Sequence, residues 1–472
     1  MRQLSTCLAA LSSICVIVTS RAYAAQPPDV VTSDSQDNTA MGSGALSQLT
    51  VAYSNTASGS DAMHSNTSGS SNVADGVDAL YSNTTGINNT VVGAGALYNN
   101  TDGSYNTALG YDTLFSNTGS FNTAVGPLTM YFNTTGQENS AFGSGALSDN
   151  TTGNDNVAFG MVTLGANTTG SGNTAGGSYA LRENTTGEFN TAFGFQALLS
   201  NTSSGDNSAY GYQALYSNTI GAANSATGYK ALYSNTSGID NLGSGGFALY
   251  ANTTGNYNTG DGDEVLLHNT TGSSNTAVGR NALYTSTTGS GNVAVGASAG
   301  YNVTSGSNNI DIANQGVAAD SGTIRIGASG VQTATYVAGI VGTQVTGSVV
   351  YVTANGQLGV LASSERYKTG ITPMGTRTDG LFELRPVSFH LKTEPNGPAQ
   401  FGLIAEEVAK IYPDLVIRDA AGTIQGVRYD ELAPMLLNEV RKEHQRLEDV
   451  QAQLRAMRRE LAAFEHERRN GG

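Results

Sequence analysis

Tryptophan is absent from the 472 residues, cysteine occurs twice, proline nine times, and charged residues make up only 12% of the chain. Each scarcity excludes something. Both cysteines, Cys7 and Cys15, lie in the first apolar stretch, so the rest of the chain has no disulfide and no thiol chemistry. Positive charge is nearly missing before residue 363, where Arg2, Arg21, Arg182, Lys230, Arg280 and Arg325 stand against 20 Asp and Glu, a net of −14. A body so acidic lacks the basic footprint of a nucleic-acid binder. The five histidines (His64, His268, His390, His444 and His466) are scattered and offer no metal-ligand spacing, so neither a metal nor another cofactor is expected. Beyond the N-terminus no apolar run approaches the ~20 residues of a membrane span.

What is abundant is glycine, 60 residues, without the proline or the three-residue period of collagen. High Gly, Asn, Thr and Ser with little charge point to a repetitive β-structure. The N-terminus reads as a signal peptide over residues 1–24. Arg2 is its positive region, "LAALSSICVIV" its apolar region, and Ala22-Tyr23-Ala24 a small-x-small cleavage site. The expected product is exported, extracellular or at a cell surface, with residues 25–37 as a linker.

Over residues 38–309 the chain keeps a clock. An Asn opens units such as "NTAVG" at Asn38, Asn55, Asn72, Asn89, Asn106 and Asn122, and so on to Asn309. Every interval is 17 residues except the 16 between Asn106 and Asn122. The missing residue falls in "SNTGSFN", in a turn, where length changes are tolerated best. The consensus N-T-A-V-G-x-x-A-L-Y-x-N-T-T-G-x-x holds two short apolar pieces, each strand-sized, with Asn-Thr-Thr-Gly supplying a turn with a positive-φ position. One unit cannot bury its own Leu, whereas stacked units can. The expected fold is therefore mainly β, a β-solenoid or β-roll with one unit per rung, and with sixteen rungs about 75 Å long. The Asn column should form a ladder of side-chain amides, and Leu and Tyr should stack likewise. Asn and Thr columns are read as structural punctuation, with a receptor-binding or ice-binding face as the functional alternatives. The "NTAVG" units are similar to the head repeats of trimeric autotransporter adhesins, whose shorter "NSxAxG" units form parallel β-rolls in a homotrimer. The resemblance implies a trimeric fibre.

Residues 310–362 lose the clock and read as a β neck of short strands joined by Gly turns. From residue 363 the charge balance changes to 17 acidic against 16 basic residues, which marks a domain boundary. Within 363–430, "ELRPVSFHLK" alternates as a strand, "FGLIAEEVAKIYPDLV" reads as a strand and a helix stopped by Pro413, and "VRYDELAPMLLNEV" reads as strand then helix. This is a small α+β domain. Residues 431–467 carry a heptad pattern, with Val440, Leu447, Leu454 and Leu461 at one seam position and Leu436, Glu443, Val450, Met457 and Phe464 at the other. Only Glu443 breaks the seam of the expected coiled coil.

The run "SSERYKTGI", "LRPVSFHLK", "FGLIAEEVAKIYPDLV", "VRYDELAPMLLNEVRKEH", over about residues 363–445, resembles the C-terminal intramolecular chaperone domain of phage endosialidases, tailspikes and tail fibres. That family is the S74 peptidase family, also found in myelin regulatory factors. The resemblance implies a domain that trimerises, aligns three copies of the fibre upstream of it and can then cut itself off. It places the nucleophile at Ser363, the base at Lys368 and the scissile bond at Ala362–Ser363. A lysine takes the proton of a serine hydroxyl only as a neutral amine, a form that burial and a nearby positive charge such as Arg366 both favour. The family commonly has Asp after the nucleophile, where this chain has Ser364. On a plain helix Ser364 and Lys368, four apart, would meet, so Ser364 is the second candidate nucleophile. Ser363 reaches Lys368 only if the chain turns between them.

A chaperone suits this body. Near-identical rungs can mispair by one repeat and bury almost the same surface, so register is weakly specified. The expected partner is the chain itself as a homotrimer, with a cell-surface or glycan receptor possible and no membrane span. The competing reading is a surface adhesin whose C-terminal trimerisation domain stays attached and uncut.

Overall fold

The computed structural model describes residues 31–338, 349–353, 356–360, 362–419 and 421–470. The signal peptide read at 1–24, the first part of the linker and residues 339–348 of the neck lie outside these. The chain divides into two compact units between Thr335 and Tyr336.

The first unit is a β-solenoid of 17 turns. Its parallel strands run from β2 (Thr39–Met41) to β18 (Ile310–Ile312). Each strand pairs in register with the next, as in Thr174↔Thr191, Ala175↔Ala192 and Gly176↔Phe193. At the short interval the register holds, with Thr107 opposite Thr123. β1 (Thr32–Ser33) adds antiparallel to β2, and β19 (Ile324–Ile326) extends the parallel sheet past β18. Counting each turn from its opening Asn, the strand occupies positions 2–4. Its middle residue points inward, and with the Ala and Leu at positions 8 and 9 it makes a thin continuous core in which Ala192, Ala197 and Leu198 are fully buried. Small inward residues are what so narrow a coil can enclose.

The second apolar piece of each unit is not a strand. Its Leu sits in left-handed backbone, φ 53° at Leu164 and 52° at Leu198. It closes a turn in which the amide of Asn167 donates to the Leu164 carbonyl, at 3.2 Å. Left-handed backbone disfavours residues with a Cβ by about 1–2 kcal/mol, and here it recurs in turn after turn because stacking of the side chain into the core outweighs it. The glycines also divide their work differently from the sequence reading. The positive φ belongs to the glycine after the strand, such as Gly194 at +140°. The glycine of Asn-Thr-Thr-Gly has ordinary φ and is required by crowding. A Cβ on Gly170 would lie 2.4 Å from the Gly187 carbonyl oxygen and 2.6 Å from Asn167 Oδ1.

The Asn ladder is present and has a twin. At position 1, Asn173 Nδ2 donates to Asn156 Oδ1 (3.1 Å) and to the Gly187 carbonyl (2.9 Å), and Asn190 repeats the pattern onto Asn173. At position 12, Asn167 Nδ2 donates to Asn150 Oδ1 (2.8 Å) and to Gly170 O (2.9 Å). Both columns are buried. The Thr at position 13 spends its hydroxyl on the neighbouring turn, as Thr168 Oγ1 does on the Thr185 carbonyl at 2.9 Å. These columns hold the coil together. Tyr81, Tyr98, Phe115 and Tyr131 stack with centroids 5.0–5.2 Å apart.

In the second unit, β20 (Tyr351–Val352) and β21 (Leu358–Gly359) form one hairpin, β22 (Val387–Phe389) pairs with β23 (Gln400–Gly402), and β24 (Val416–Arg418) pairs with β25 (Ile424–Val427), all antiparallel. Helix α1 (Ala405–Ile411) ends just before Pro413, and α2 (Tyr429–Asn470) follows β25. A small core of Val408, Leu415, Val416 and Val427 joins them.

Candidate active site

The site begins with two serines and a lysine in a short loop. Ser364 is extended (φ −67°, ψ 141°) and precedes a single 3-10 turn, Glu365–Tyr367. That turn is closed by Tyr367 N–H donating to Ser364 O (3.0 Å) and Lys368 N–H donating to Glu365 O (2.9 Å). The chain thus reverses between Ser363 and Lys368, and Lys368 Nζ stands 3.4 Å from Ser363 Oγ. Among the described residues Ser364 shares no hydrogen bond with Lys368. The Arg366 guanidinium lies over the ring of its neighbour Tyr367, 5.0 Å from its centroid, rather than over the amine. Ala362, Ser363 and Lys368 are all exposed in the single chain. A Ser–Lys pair works in a site from which water is excluded, and one chain alone does not enclose this loop. No group of three or more His, Cys, Asp or Glu among the described residues is placed to hold a metal ion.

A second cluster, which the sequence reading missed, lies beside the start of α2. Glu439 is buried, its carboxylate bonded to the buried Thr378 hydroxyl and to Lys442 Nζ at 2.6 Å. Lys442 also reaches Asp379 at 2.5 Å, and Asn438 Nδ2 donates to Thr378 Oγ1 at 2.6 Å. The lysine holds the Glu439 carboxyl below the ordinary carboxylate range, and its pairing with Asp379 raises its own pKa. The cluster fastens the 3-10 segment Gly375–Glu383 to the helix. Its only sequence signal is the i,i+3 spacing of Glu439 and Lys442. Arg385 adds a two-pronged bond to Glu407, at 2.6 and 3.1 Å.

Two apolar surfaces of this unit are open. A groove of about 660 Å³ is lined by Leu381, Leu384, Val387, Leu403, Leu432 and Leu436, among others. Along α2, Leu436, Val440, Leu447, Val450, Leu454, Met457, Leu461 and Phe464 are each 44–63% exposed. They recur at alternating intervals of three and four, broken only by Glu443.

Residues 363–417 match the peptidase S74 family, described as chaperone of endosialidase. The match begins at Ser363 and ends at Ile417. No curated protein and no solved structure matches the chain.

Proposed function

We propose, from the premise that residues 363–417 form a chaperone-of-endosialidase domain, that the chain is an exported homotrimeric fibre. Its C-terminal domain would align three copies and then cut the Ala362–Ser363 bond. The observation that carries the reading is the family match beginning at the residue that would become the new N-terminus. The seam on α2 supports the trimer. Eight large apolar side chains at heptad spacing, exposed along one helix, are what a coiled coil of several copies buries.

In the proposed reaction Lys368 takes the Ser363 Oγ proton. The oxygen attacks the Ala362 carbonyl carbon, and the acyl group moves from nitrogen to oxygen as the Ser363 amine accepts a proton from Lys368. Water then cleaves the ester, leaving an Ala362 carboxylate and a free amino terminus at Ser363. The 3.4 Å separation supports Ser363 over Ser364 as nucleophile. The exposure of the pair in one chain means that neighbouring copies must cover it, so cutting would wait for assembly. That same exposure is what favours the alternative, an adhesin fibre with the domain retained.

Expression of the chain followed by a denaturing gel and intact mass distinguishes the two. The expected outcome is a separate fragment of residues 363–472, abolished by Ser363→Ala and by Lys368→Ala and kept by Ser364→Ala. Full-length product from the unaltered chain would overturn the cleavage.

A further inference from the structure

On each turn of the solenoid, positions 2, 4 and 6 point outward on the strand side, flanking the inward Ala at position 3. Across the ten turns that open at Asn89 through Asn241, no charged residue occupies any of these thirty places. The same turns carry eleven charged residues, among them Asp102, Glu138, Asp155, Arg182, Asp206 and Asp240, all at other positions. The uncharged face is instead apolar and aromatic. Phe193, Phe195, Tyr210 and Tyr212 are 41–45% exposed, and their rings stack along the turns, Phe193 on Tyr210 and Phe195 on Tyr212 at 5.7 Å. Phe142 stacks on Phe159 at 5.0 Å. Beyond these turns charge returns to the face, at Asp75 on one side and at Asp261, Asp263 and Arg280 on the other.

We infer that this face, from Thr90 to Gly246, is where copies of the chain meet along the solenoid. The inference rests on the trimer reading above and adds the surface to it. Charge selects the occupant. Residues 1–362 carry a net −14, so another copy is repelled from most of the solenoid surface, and this is the face on which contact brings no like charges together. Parallel copies in register around a three-fold axis bring neighbouring columns of this face against one another, and because positions 4 and 6 both carry aromatics (Phe193 and Tyr210, Phe195 and Tyr212), aromatic columns meet aromatic columns. Ten turns at about 4.8 Å and a width of five residues, positions 2 to 6, at about 3.3 Å each give a face of about 800 Å² per copy, which a trimer divides between each copy's two neighbours, so that each pair buries about 800 Å² in total. The one shortened turn loses its residue near position 14, away from this face, and Leu109 still sits opposite Val125.

The test uses the full chain with Cys7 and Cys15 replaced by serine and one new cysteine at a time, treated with a short bismaleimide. Light scattering on the same samples counts the chains per particle. Ser208→Cys and Thr227→Cys, at positions 2 and 4, should move to a two-chain band on a denaturing gel, and Asp240→Cys, at position 17, should stay a single chain. Multi-chain particles that cross-link at neither face position, or equally at Asp240→Cys, would overturn this interface while leaving the trimer standing. Single-chain particles would overturn both. The cysteine replacements are small, and an unchanged far-UV circular dichroism spectrum shows that a negative result is not a folding failure.

Discussion

At the scale of single residues, two buried polar side chains dominate the solenoid, and they behave oppositely. An Asn in mid-ladder is satisfied on both sides. Replacing Asn173 by Ala removes its donors from Asn156 Oδ1 and Gly187 O and the acceptor used by Asn190. Orphaning buried groups costs about 1–3 kcal/mol each, so Asn173→Ala should destabilise the solenoid by on the order of 3 kcal/mol in chemical denaturation. Asp311 is the contrary case. It takes the inward strand position that most earlier turns give to Ala, it is 1% exposed, and its Oδ2 has no partner. Arg325 stands opposite it in register but is engaged by Asp320 at 2.6 and 2.8 Å. Burial, with Asp320 adding to it, pushes the Asp311 carboxyl up to about 6. A carboxyl raised on folding favours the protonated native state. Its contribution is full below the unfolded value near 4 and is lost as pH climbs to about 6, on the order of 3 kcal/mol over that window. Hydrogen exchange of the last turns, measured at pH 4.5 and pH 7, should show weaker protection at the higher pH, and Asp311→Ala should remove the difference. The Asp320 carboxyl, held low chiefly by its bond from Arg325, acts the other way and only in stronger acid.

At the scale of the element, the ladders show where the coil is weak. The position-12 column stops at Asn269, because the next turn has Ser286; Asn269 Oδ1 and Ser286 Oγ are both buried without partners. Ser286→Asn would restore the bond and leave one orphan where there are two. It should raise the unfolding free energy by about 1 kcal/mol, read as a shift in denaturation midpoint. Asn100 Oδ1 is orphaned for a different reason: the next turn does carry Asn117, but in that shortened turn its Nδ2 donates to the Gly119 carbonyl and not to Asn100. The sequence made the period, the inward Ala and Leu and the position-1 ladder readable, because identical residues at equal spacing must stack. It hid the Leu turn, since hydropathy does not report φ and a left-handed Leu looks like any strand Leu. It hid the position-12 ladder too, because Asn-Thr-Thr-Gly reads as a generic turn until the crowding around its glycine is seen. In the second unit the strand–helix order was readable from its alternation and from Pro413, whereas the meeting of Ser363 with Lys368 depended on a 3-10 turn that three polar residues do not announce. The Thr378–Glu439 contact spans 61 residues and left no local trace.

At the scale of the whole molecule, a body of repeated turns that pair equally well one turn out of register needs an outside reference, and the C-terminal domain is proposed to supply it. Deleting residues 363–472 from the gene should therefore yield aggregated repeats, assayed as the soluble fraction after expression; soluble, correctly assembled fibre from that deletion would contradict the chaperone role. The two Asn columns have one more consequence. In each, the side-chain N–H of the later turn donates to the oxygen of the earlier one, so the amide dipoles point the same way and add, whereas backbone dipoles in a sheet nearly cancel. The coil thereby has an electrical direction, as an α-helix does. The ends of the position-1 column are finished as helix ends are. At the start, the first Nδ2–H of the column, that of Asn38, has no earlier Asn to meet and donates instead to the Asp34 carboxylate at 2.9 Å, which holds that carboxyl below its usual range. At the far end, Asn309 Oδ1 accepts from the Thr323 amide at 3.0 Å. An anion closes the positive pole, and end-to-end stacking of one solenoid on another would have to displace it.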